Sequence, residues 1–261
     1  MTSQTRSDLA VSRHQKLREY LAGRVAATTG ELAEHLGTSP VTIRRDLHML
    51  EQLGVVERIH GGARLSAARP EVEEKFSVRE HRNPAAKSRI GACVASLIQP
   101  GESITMNDGT TVMQVAQSLV ELGTPCAATT NALNVALAMS DGDRIDVTVL
   151  GGLLRRASFG TYSPADDATS AINFDTAIIG VEAMDIDGGV YLDHQFDLAV
   201  ARRMMSRSAR VIIVADQTKW RRGRIHLAGW EDIDALVTDV SPPEIGVALK
   251  EQNVALIVGP D

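Results

Sequence analysis

Two adjacent arginines, Arg44 and Arg45, lie in a segment whose apolar residues have the spacing of one helix face. Ile43, Leu47 and Leu50 form that face, so the two arginine side chains are expected to point away from it. A guanidinium group pairs in a bidentate way with O6 and N7 of guanine, and it also binds phosphate. The chemistry that this segment offers is recognition of a nucleic acid.

Three further features predict how these arginines are positioned. Thr28 and Glu31 have the spacing of a capping box, which predicts the start of a preceding helix. Ser39 followed by Pro40 predicts the N-cap and the first position of the arginine helix, and a Gly-Gly pair after residue 60 predicts a hairpin tip. This order of elements predicts a winged helix-turn-helix whose DNA-contacting residues are Thr28, Ser39, Pro40, Val41, Thr42, Arg44, Arg45, His48, Arg58, His60, Gly61, Gly62 and Arg64.

The arginine pair on its own has a second interpretation, a solvated helix face. The complete order of capped helix, tight turn, arginine helix and Gly-Gly hairpin favours DNA binding over that interpretation. Asp46, the residue after the arginines, is a poor partner for DNA because its charge repels phosphate. We expect Asp46 to pair with a nearby basic side chain and to fix the helix.

The net charge is divided unevenly along the chain. Residues 1–69 hold ten Lys and Arg and seven Asp and Glu, whereas the remaining residues hold seventeen and twenty-six. A mildly basic head on an acidic body fits a polyanion-binding module carried by a second domain. It disfavours a nucleoid-type structural binder, whose body would be more basic.

Cysteine usage and apolar runs indicate the compartment. Cys93 and Cys126 lie in apolar runs without close spacing, and we expect buried thiols in a reducing cytoplasm. No apolar run has the length of a membrane span, and the first residues lack the apolar core of a signal peptide. We therefore expect a cytoplasmic protein that makes no contact with a membrane.

From residue 85 onward, apolar strand-like runs alternate with amphipathic helix-like segments. This alternation predicts an α/β domain, a mostly parallel sheet flanked by helices, over residues 85–261. Residues 1–66 form the predicted DNA-binding domain, and residues 67–84 form a linker that ends in a short charged helix. The predicted strands are Ser103–Asn107, Cys126–Thr129, Asp146–Leu150, Thr176–Val181, Arg210–Ala215, Ala235–Thr238 and Val254–Val258. The predicted helices are Lys87–Ile98, Thr111–Leu122, Ala132–Met139, Phe196–Ser208 and Pro242–Gln252.

Polar turns follow several of the predicted strands. Asn107–Thr111 joins a strand to a helix start, where free N–H groups favour an anion. Thr130–Asn131 and Gly151–Gly152 follow the next two strands, and Lys219 follows the apolar run 211–215. Turn geometry alone also explains each of these residues. Because a parallel sheet brings its strand ends to one edge, the turns together predict a phosphate-binding site.

These residues resemble a known family. Thr38–Leu47, Leu50-Glu51 and His60–Ala63 resemble the winged helix-turn-helix head of the DeoR family of bacterial transcription regulators. The polar turns, with Gly160 and Asp216, resemble the family's C-terminal sensor domain, which is similar in fold to ribose-5-phosphate isomerase and glucosamine-6-phosphate deaminase.

The resemblance implies a transcription regulator, most often a repressor of sugar-metabolism genes. It implies a homo-oligomer (a dimer or a tetramer) that binds double-stranded operator DNA and responds to a phosphorylated sugar, without a cofactor or a metal. The implied effector-binding residues are Asn107, Asp108, Gly109, Thr110, Thr111, Thr130, Asn131, Gly151, Gly152, Asp197 and Lys219.

Two positions depart from the family pattern and leave the identity of the effector open. Asn107-Asp108 stands where the family has Asp followed by a small residue, and Asp197 stands where a glutamate is common. The alternative function is a sugar-phosphate isomerase or deaminase fused to a DNA-binding head. Such an enzyme needs a positioned acid and base, and the sequence offers no evident pair among its candidates, which are Asp193, His194, Asp197 and Asp216.

Acidic residues also cluster around Gly188-Gly189. Asp185, Asp187, Asp193 and His194 permit a metal site in principle. A hairpin turn is the favoured interpretation, because Asp and Gly suit turns and no second ligand group has metal-binding spacing.

Overall fold

The computed structural model describes residues 13–14, 16–17, 19–21, 24–52, 56–59, 61–65, 76–163, 172–241 and 243–259. The chain divides into two compact units, residues 1–73 and residues 74–261. Of the predicted features, His60, residues 66–75 and Pro242 lie outside the described residues.

The first unit is a small helical bundle with a three-stranded sheet. The described residues among 13–21 are helical, and helices follow at Thr29–His35 (α1) and Pro40–Gln52 (α2). Strands Ala27–Thr28 (β1), Val56–Ile59 (β2) and Gly62–Leu65 (β3) pair antiparallel, with β3 in the middle. The predicted winged helix-turn-helix is confirmed, and its core consists mainly of Leu17, Leu21, Leu32, Ile43, Leu47, Leu50 and Val56.

Strand β1 is a part of the wing that the sequence does not predict, because two residues carry no periodic signal. It requires a glycine at position 62, where a Cβ atom would lie 2.1 Å from the carbonyl oxygen of Ala27. The N–H of Thr29 donates to the carbonyl of Gly61 at 2.9 Å. The hairpin tip is therefore fastened to the start of α1.

The second unit is built on a seven-stranded parallel sheet with the order β15-β14-β12-β9-β4-β5-β6. This architecture confirms the predicted parallel α/β domain. The sheet strands are Ser103–Met106 (β4), Cys126–Thr130 (β5), Ile145–Val149 (β6), Phe174–Gly180 (β9), Ser208–Val214 (β12), Ala235–Thr238 (β14) and Ala255–Val258 (β15).

Helices cover both faces of this sheet. Alternate strand residues point to opposite sides: Ile178 and Ile212 join one apolar cluster, whereas Ile179 and Ile213 join the other. Strands buried on both faces explain the continuous apolar runs of the sequence. The helices are Phe76–Glu80 (α3), Pro84–Leu97 (α4), Thr110–Leu122 (α5), Leu133–Met139 (α6), Gln195–Ser206 (α7) and Pro243–Glu251 (α8).

Two small antiparallel sheets complete the second unit. Strands Leu153–Leu154 (β7) and Thr161–Tyr162 (β8) form a short ribbon. Strands Ala183–Asp185 (β10), Gly189–Leu192 (β11) and Ile225–Ala228 (β13) form the other. The turn between β10 and β11 is the predicted hairpin, in which Asp185 Oδ1 accepts from the N–H of Gly188 at 2.6 Å.

Helix α3 is the short charged helix predicted at the end of the linker, and it packs within the second unit. The N–H of Phe76 donates to the carbonyl of Ala157 at 2.8 Å, and its ring packs edge-on against Phe159. Residues 76–84 are thus part of the second unit, which corrects the predicted linker of residues 67–84. None of the helices in the described ranges combines the length and the apolar run that a bilayer crossing requires.

Candidate functional site

Helix α2 presents the predicted DNA-reading face to solvent. Ser39 Oγ accepts from the N–H of Thr42 at 3.2 Å and lies 2.9 Å from Thr42 Oγ1, so Ser39 caps the helix as predicted. Val41, Arg44 and Arg45 are exposed on this helix. Within the described part of the chain, neither arginine forms an ion pair, so their donors face outward.

Asp46 fixes α2 from its buried side. Its carboxylate accepts from Arg13 at 2.5 and 3.0 Å, and it lies 3.1 Å from Nε2 of His14. Burial alone would raise the pKa of Asp46, but the hydrogen bonds from His14 and Arg13 hold the pKa below its usual range. The prediction that Asp46 pairs with a basic side chain is confirmed, and the pairing anchors α2 to the helical residues 13–14.

The wing presents its cations in a different way. Arg64 donates to both carboxylate oxygens of Glu57 across the hairpin, at 2.8 to 3.0 Å, and Arg58 lies 3.7 Å from Glu51. Thr28, also a predicted DNA contact, forms the predicted capping box with Glu31. The roles of these residues in binding DNA remain predictions, but the wing arginines already have carboxylate partners.

In the second unit, the predicted effector residues lie at the carboxyl ends of adjacent strands. Asn107 follows β4, and its amide exchanges two hydrogen bonds with the backbone of Gly180 at 2.8 and 3.0 Å. Asn107 therefore ties β4 to the end of β9. Gly109 has a φ of +146°, which L side chains rarely adopt, and it precedes the buried Thr110 and Thr111 at the start of α5.

The end of β5 provides a second set of polar groups. Thr130 Oγ1 accepts from the N–H of Ala132 at 3.1 Å, and Asn131 Nδ2 donates to the carbonyl of Thr161 at 3.0 Å. The side-chain oxygen of Asn131 is buried and has no hydrogen-bond partner within the described residues. That oxygen is an acceptor available to a ligand.

The glycines after β6 have a structural explanation. Gly152 has a φ of +146°, and a Cβ atom there would lie 2.0 Å from the carbonyl oxygen of Tyr162. The glycine thus permits the tight passage from β6 into the β7–β8 ribbon. No group lies within 4 Å of a Cβ placed at Gly151, so contact of these glycines with an effector remains a prediction.

Arg155, in the turn between β7 and β8, joins two of the predicted acidic positions. Its guanidinium donates to Asp197 at the start of α7, and its Nη2 lies 3.7 Å from Oδ2 of Asp108. A Cβ atom at Gly160 would lie 2.9 Å from the same Asp108 oxygen. The carboxylate of Asp108, which departs from the family pattern, therefore lies between the guanidinium of Arg155 and the backbone at Gly160.

A second charged cluster surrounds Lys219. Lys219 Nζ donates to Glu182 Oε2 at 2.8 Å, and Arg79 donates to the other oxygen of the same carboxylate. Lys87 donates to the backbone carbonyl of Arg79 at 2.5 Å. Asp216 caps the turn that carries Lys219 by accepting from the N–H of Thr218 at 2.9 Å. This arrangement gathers three cations at the strand ends.

Burial perturbs two members of this cluster. Burial lowers the pKa of Lys87, and the nearby charges of Lys219 and Arg79 lower it further, whereas Asp216 and Glu182 act in the opposite direction. Burial would raise the pKa of Glu182, but Lys219 and Arg79 hold it below its usual range. Lys219 and Arg79 therefore favour the carboxylate form of Glu182.

The sequence does not identify four members of these clusters: Arg79, Lys87, Arg155 and Glu182. Each lies on a segment without a phosphate-binding pattern, and Arg79 and Glu182 are 103 positions apart in the chain. A usable signal was available for Glu182, which follows the predicted strand 176–181 just as Asp216 follows the strand 210–215.

Other candidate chemistry receives less support. Within the described ranges, no group of three or more His, Cys, Asp or Glu side chains is placed to hold a metal ion. Cys126 is buried, burial raises the pKa of its thiol to about 11, and Cys93 is half-buried. Trp230 is buried in the core, and its ring lies 6.2 Å from that of Trp220.

Comparison with known proteins places both units in one family. A family model described as the DeoR-like helix-turn-helix domain matches residues 13–68, and one described as the DeoR C terminal sensor domain matches residues 82–240. The chain is 32% identical to a glycerol-3-phosphate regulon repressor from Haemophilus influenzae, over 94% of this chain and 96% of that protein. It is also 32% identical to the HTH-type transcriptional repressor CsqR from Escherichia coli, over 94% of each chain.

Among solved structures, ribose 5 phosphate isomerase A from Neisseria gonorrhoeae matches 52% of each chain at 12% identity, with a TM-score of 0.39. The family models cover both units, and the curated relatives align over nearly their whole length. The chain therefore belongs to the DeoR family and is a DNA-binding transcription regulator with a C-terminal sensor domain.

Proposed function

We propose that this regulator represses genes of sugar metabolism and that a phosphorylated sugar or polyol, bound in the second unit, weakens its hold on the operator. The observation that carries the effector class is the grouping of Arg79, Lys87 and Lys219 at one sheet edge, with a single carboxylate, that of Glu182, bridging two of them. A phosphate group matches such a cluster because it offers several charged acceptor oxygens.

The rest of the sheet edge suits a polyhydroxylated ligand. The buried side-chain oxygen of Asn131 accepts hydrogen bonds, and the carboxylates of Asp108 and Asp197 accept from hydroxyls. The named targets of relatives, such as the glycerol-3-phosphate regulon, support a phosphorylated small molecule. The departure at Asp108 supports a ligand that offers a hydroxyl, and not a second phosphate, at that position.

The DNA-binding step uses the outward face of α2. Arg44 and Arg45 contact base edges or phosphates of the major groove, and the capped start of α2 offers backbone N–H groups to a phosphate. The wing lies on an adjacent backbone segment, where Arg58 and His60 contribute charge. Such a protein acts on the genome, and we place it in the cytoplasm as a homo-oligomer that binds repeated half-sites.

The experiment that tests this function begins with selection of the operator from a random pool of DNA duplexes. The affinity for the selected duplex is then measured by fluorescence anisotropy while a panel of sugar and polyol phosphates is added. We expect one class of phosphorylated compound to weaken binding and its unphosphorylated counterpart to have no effect. Operator binding that is indifferent to every phosphorylated compound would overturn the effector class.

A charge-removing variant locates the effector site. Lys219→Gln is expected to move the effector titration to higher concentration, because one of the phosphate-binding cations is removed. Lys250→Gln is the matched control, since Lys250 is exposed on α8. Equal titration curves for Lys219→Gln and the wild type would remove Lys219 from the site.

We assign no isomerase or deaminase activity to the second unit. Asp197 is paired with Arg155, Asp216 holds the turn of residues 217–219, and Asp193 lies 3.9 Å from Arg221. These partners occupy the carboxylates that an acid–base mechanism would require. The direct test is turnover of ribose 5-phosphate and of a hexosamine phosphate, and measurable turnover would favour the enzyme.

A further inference from the structure

The carboxylate of Glu182 bridges two cations that belong to different elements of the second unit. One of its oxygens accepts from Arg79 on α3, and the other accepts from Lys219 on the turn after β12, at 2.8 Å. The side chain of Glu182 is largely buried at the end of β9. The bridge therefore joins α3 to two strand ends of the central sheet.

Helix α3 is the first described element of the second unit, and residues 66–75 precede it in the chain. Other interactions of this helix with described residues include the N–H of Phe76 donating to Ala157, the ring of Phe76 packing against Phe159, and Lys87 donating to the carbonyl of Arg79. The bridge through Glu182 adds ion pairs to these contacts. A change at Glu182 thus acts directly on the segment that continues into the DNA-binding unit.

Arg79 retains donor capacity in this arrangement. Its Nε and Nη2 atoms are buried and have no hydrogen-bond partner among the described residues. Buried donors of this kind are normally satisfied, so their geometry favours an acceptor with several oxygens. Lys87 belongs to the same charged cluster, since its ammonium donates to the carbonyl of Arg79 at 2.5 Å.

Glu182 and an external phosphate require the same donors. The ammonium of Lys219 and the guanidinium of Arg79 satisfy either a side-chain carboxylate or a phosphate of higher charge. Two anions on one pair of cations repel each other, so binding of the second weakens the hold of the first. Replacement of Glu182 by a phosphate changes the partner of Arg79 on α3. This replacement requires no new contact with the DNA-binding unit.

We propose that Glu182 is an internal competitor of the effector's phosphate, and that its displacement from Arg79 loosens α3 and passes the signal to the DNA-binding unit. This inference rests on the proposed function, since it assigns a mechanism to the same site. It makes Arg79 a residue that senses phosphate and also transmits the response.

Glu182→Gln tests the proposal because glutamine keeps the shape of the side chain and removes its charge. In the full-length protein without added phosphate, we expect affinity for the selected duplex to fall about fivefold to tenfold, since α3 is held less firmly. We expect the rise in Tm caused by inorganic phosphate to be larger than in the wild type, because the competitor is weakened. Glu121→Gln, an exposed glutamate on α5, is the matched control and should change neither quantity.

A double-mutant cycle distinguishes a transmitted effect from damage to the fold. Arg79→Gln should lower operator affinity to the same extent as Glu182→Gln, and the double variant should lower it no further. Additive losses would overturn the link through Arg79. Unchanged operator affinity together with an unchanged phosphate response in Glu182→Gln would overturn the competition itself.

The two proposals fail in different ways. If no sugar or polyol phosphate altered operator binding of the wild type, the proposed effector class would fail. The non-additivity of Glu182→Gln and Arg79→Gln would then still measure the link between the bridge and the DNA-binding unit. If a sugar phosphate released the wild type and both variants equally, the effector class would stand and the internal competitor would be wrong.

Discussion

The reading helix and the sensor edge use the same side-chain chemistry in opposite ways. Arg44 and Arg45 are exposed and form no ion pair within the described part of the first unit, whereas Arg79 and Lys219 share a buried carboxylate in the second. The first arrangement is ready for a polyanion at any time. In the second, we propose that an incoming anion competes with the carboxylate of Glu182 for the donors of Lys219 and Arg79. Binding of an anion to a cation that is already paired in the protein therefore rearranges that pair. Binding to an unpaired cation requires no such rearrangement.

The first way to test this comparison is to remove the unpaired cations. Arg44→Ala with Arg45→Ala should weaken binding to the selected duplex by about 3 kcal/mol or more, with a shallower salt dependence. Fluorescence anisotropy over a range of salt concentrations measures both quantities. Arg24→Ala is the control, because Arg24 lies outside the reading helix and stacks on Tyr20. Equal affinity in the double variant and the wild type would show that α2 does not read DNA.

The second prediction concerns the carboxylate that orients the reading helix. Asp46→Asn should destabilise the first unit by about 2 kcal/mol, because Arg13 and His14 lose a buried charged partner. Hydrogen exchange of the amides of this unit in the full chain measures the loss. Glu34→Gln, an exposed change on α1, is the control.

The same carboxylate gives the first unit a predictable response to acid. The folded-state pKa of Asp46 is lowered, so its contribution to stability is present above about pH 4 and is lost as the pH falls through the folded-state value. The wild type should therefore lose protection in acid more steeply than Asp46→Asn. Parallel acid profiles for the two proteins would contradict this assignment.

The third prediction concerns the carboxylate of Asp108, which lies beside Arg155 in the second unit. Asp108→Asn removes a buried charged acceptor 3.7 Å from Arg155, which should weaken effector binding by about 1 kcal/mol, because the proposed site uses this carboxylate to accept from a ligand hydroxyl. The thermal shift at increasing effector concentration measures the change, and Asp146→Asn on the exposed side of β6 is the control. Tighter effector binding in Asp108→Asn would show instead that this carboxylate repels the phosphate of the ligand.

The smallest effect is expected for an arginine of the DNA-binding unit that already has a carboxylate partner. Arg64 is bound to Glu57 on the exposed wing, and exposed ion pairs contribute little, so Arg64→Ala should change stability by less than about 0.5 kcal/mol. We expect a much smaller loss of operator affinity than for Arg45→Ala, as measured on the same duplex. A loss as large as that of Arg45→Ala would show that a pre-paired arginine contributes fully to DNA binding.

The success of the sequence-based predictions depended on the range of the interactions involved. The strand Ala235–Thr238 was predicted with its observed bounds, because a buried parallel strand has a continuous apolar run between polar turns. The capping box at Thr28 and the cap at Ser39 were likewise predicted, since each is formed by residues three positions apart.

The missed features are those that depend on the folded topology. The pairing of Arg79 with Glu182 arises only when α3 packs at the end of β9, and no local pattern encodes that placement. The partner of Asp46 was predicted only as a nearby basic side chain, whereas the structure identifies Arg13 and His14. Lys219 was predicted as part of a phosphate-binding site, but its carboxylate partner, which lies 37 positions away in the chain, was not predicted.

The strand order of the sensor sheet has a consequence for folding during synthesis on the ribosome. Strand β9 pairs on one side with β4, which precedes it by some seventy residues, and on the other with β12, which follows it. The sheet cannot close until most of the chain has been synthesised, whereas the first unit completes its core by residue 65. We expect the nascent chain to fold its DNA-binding unit early and its sensor late. We therefore expect each new molecule to fold its DNA-binding unit before its sensor can bind an effector.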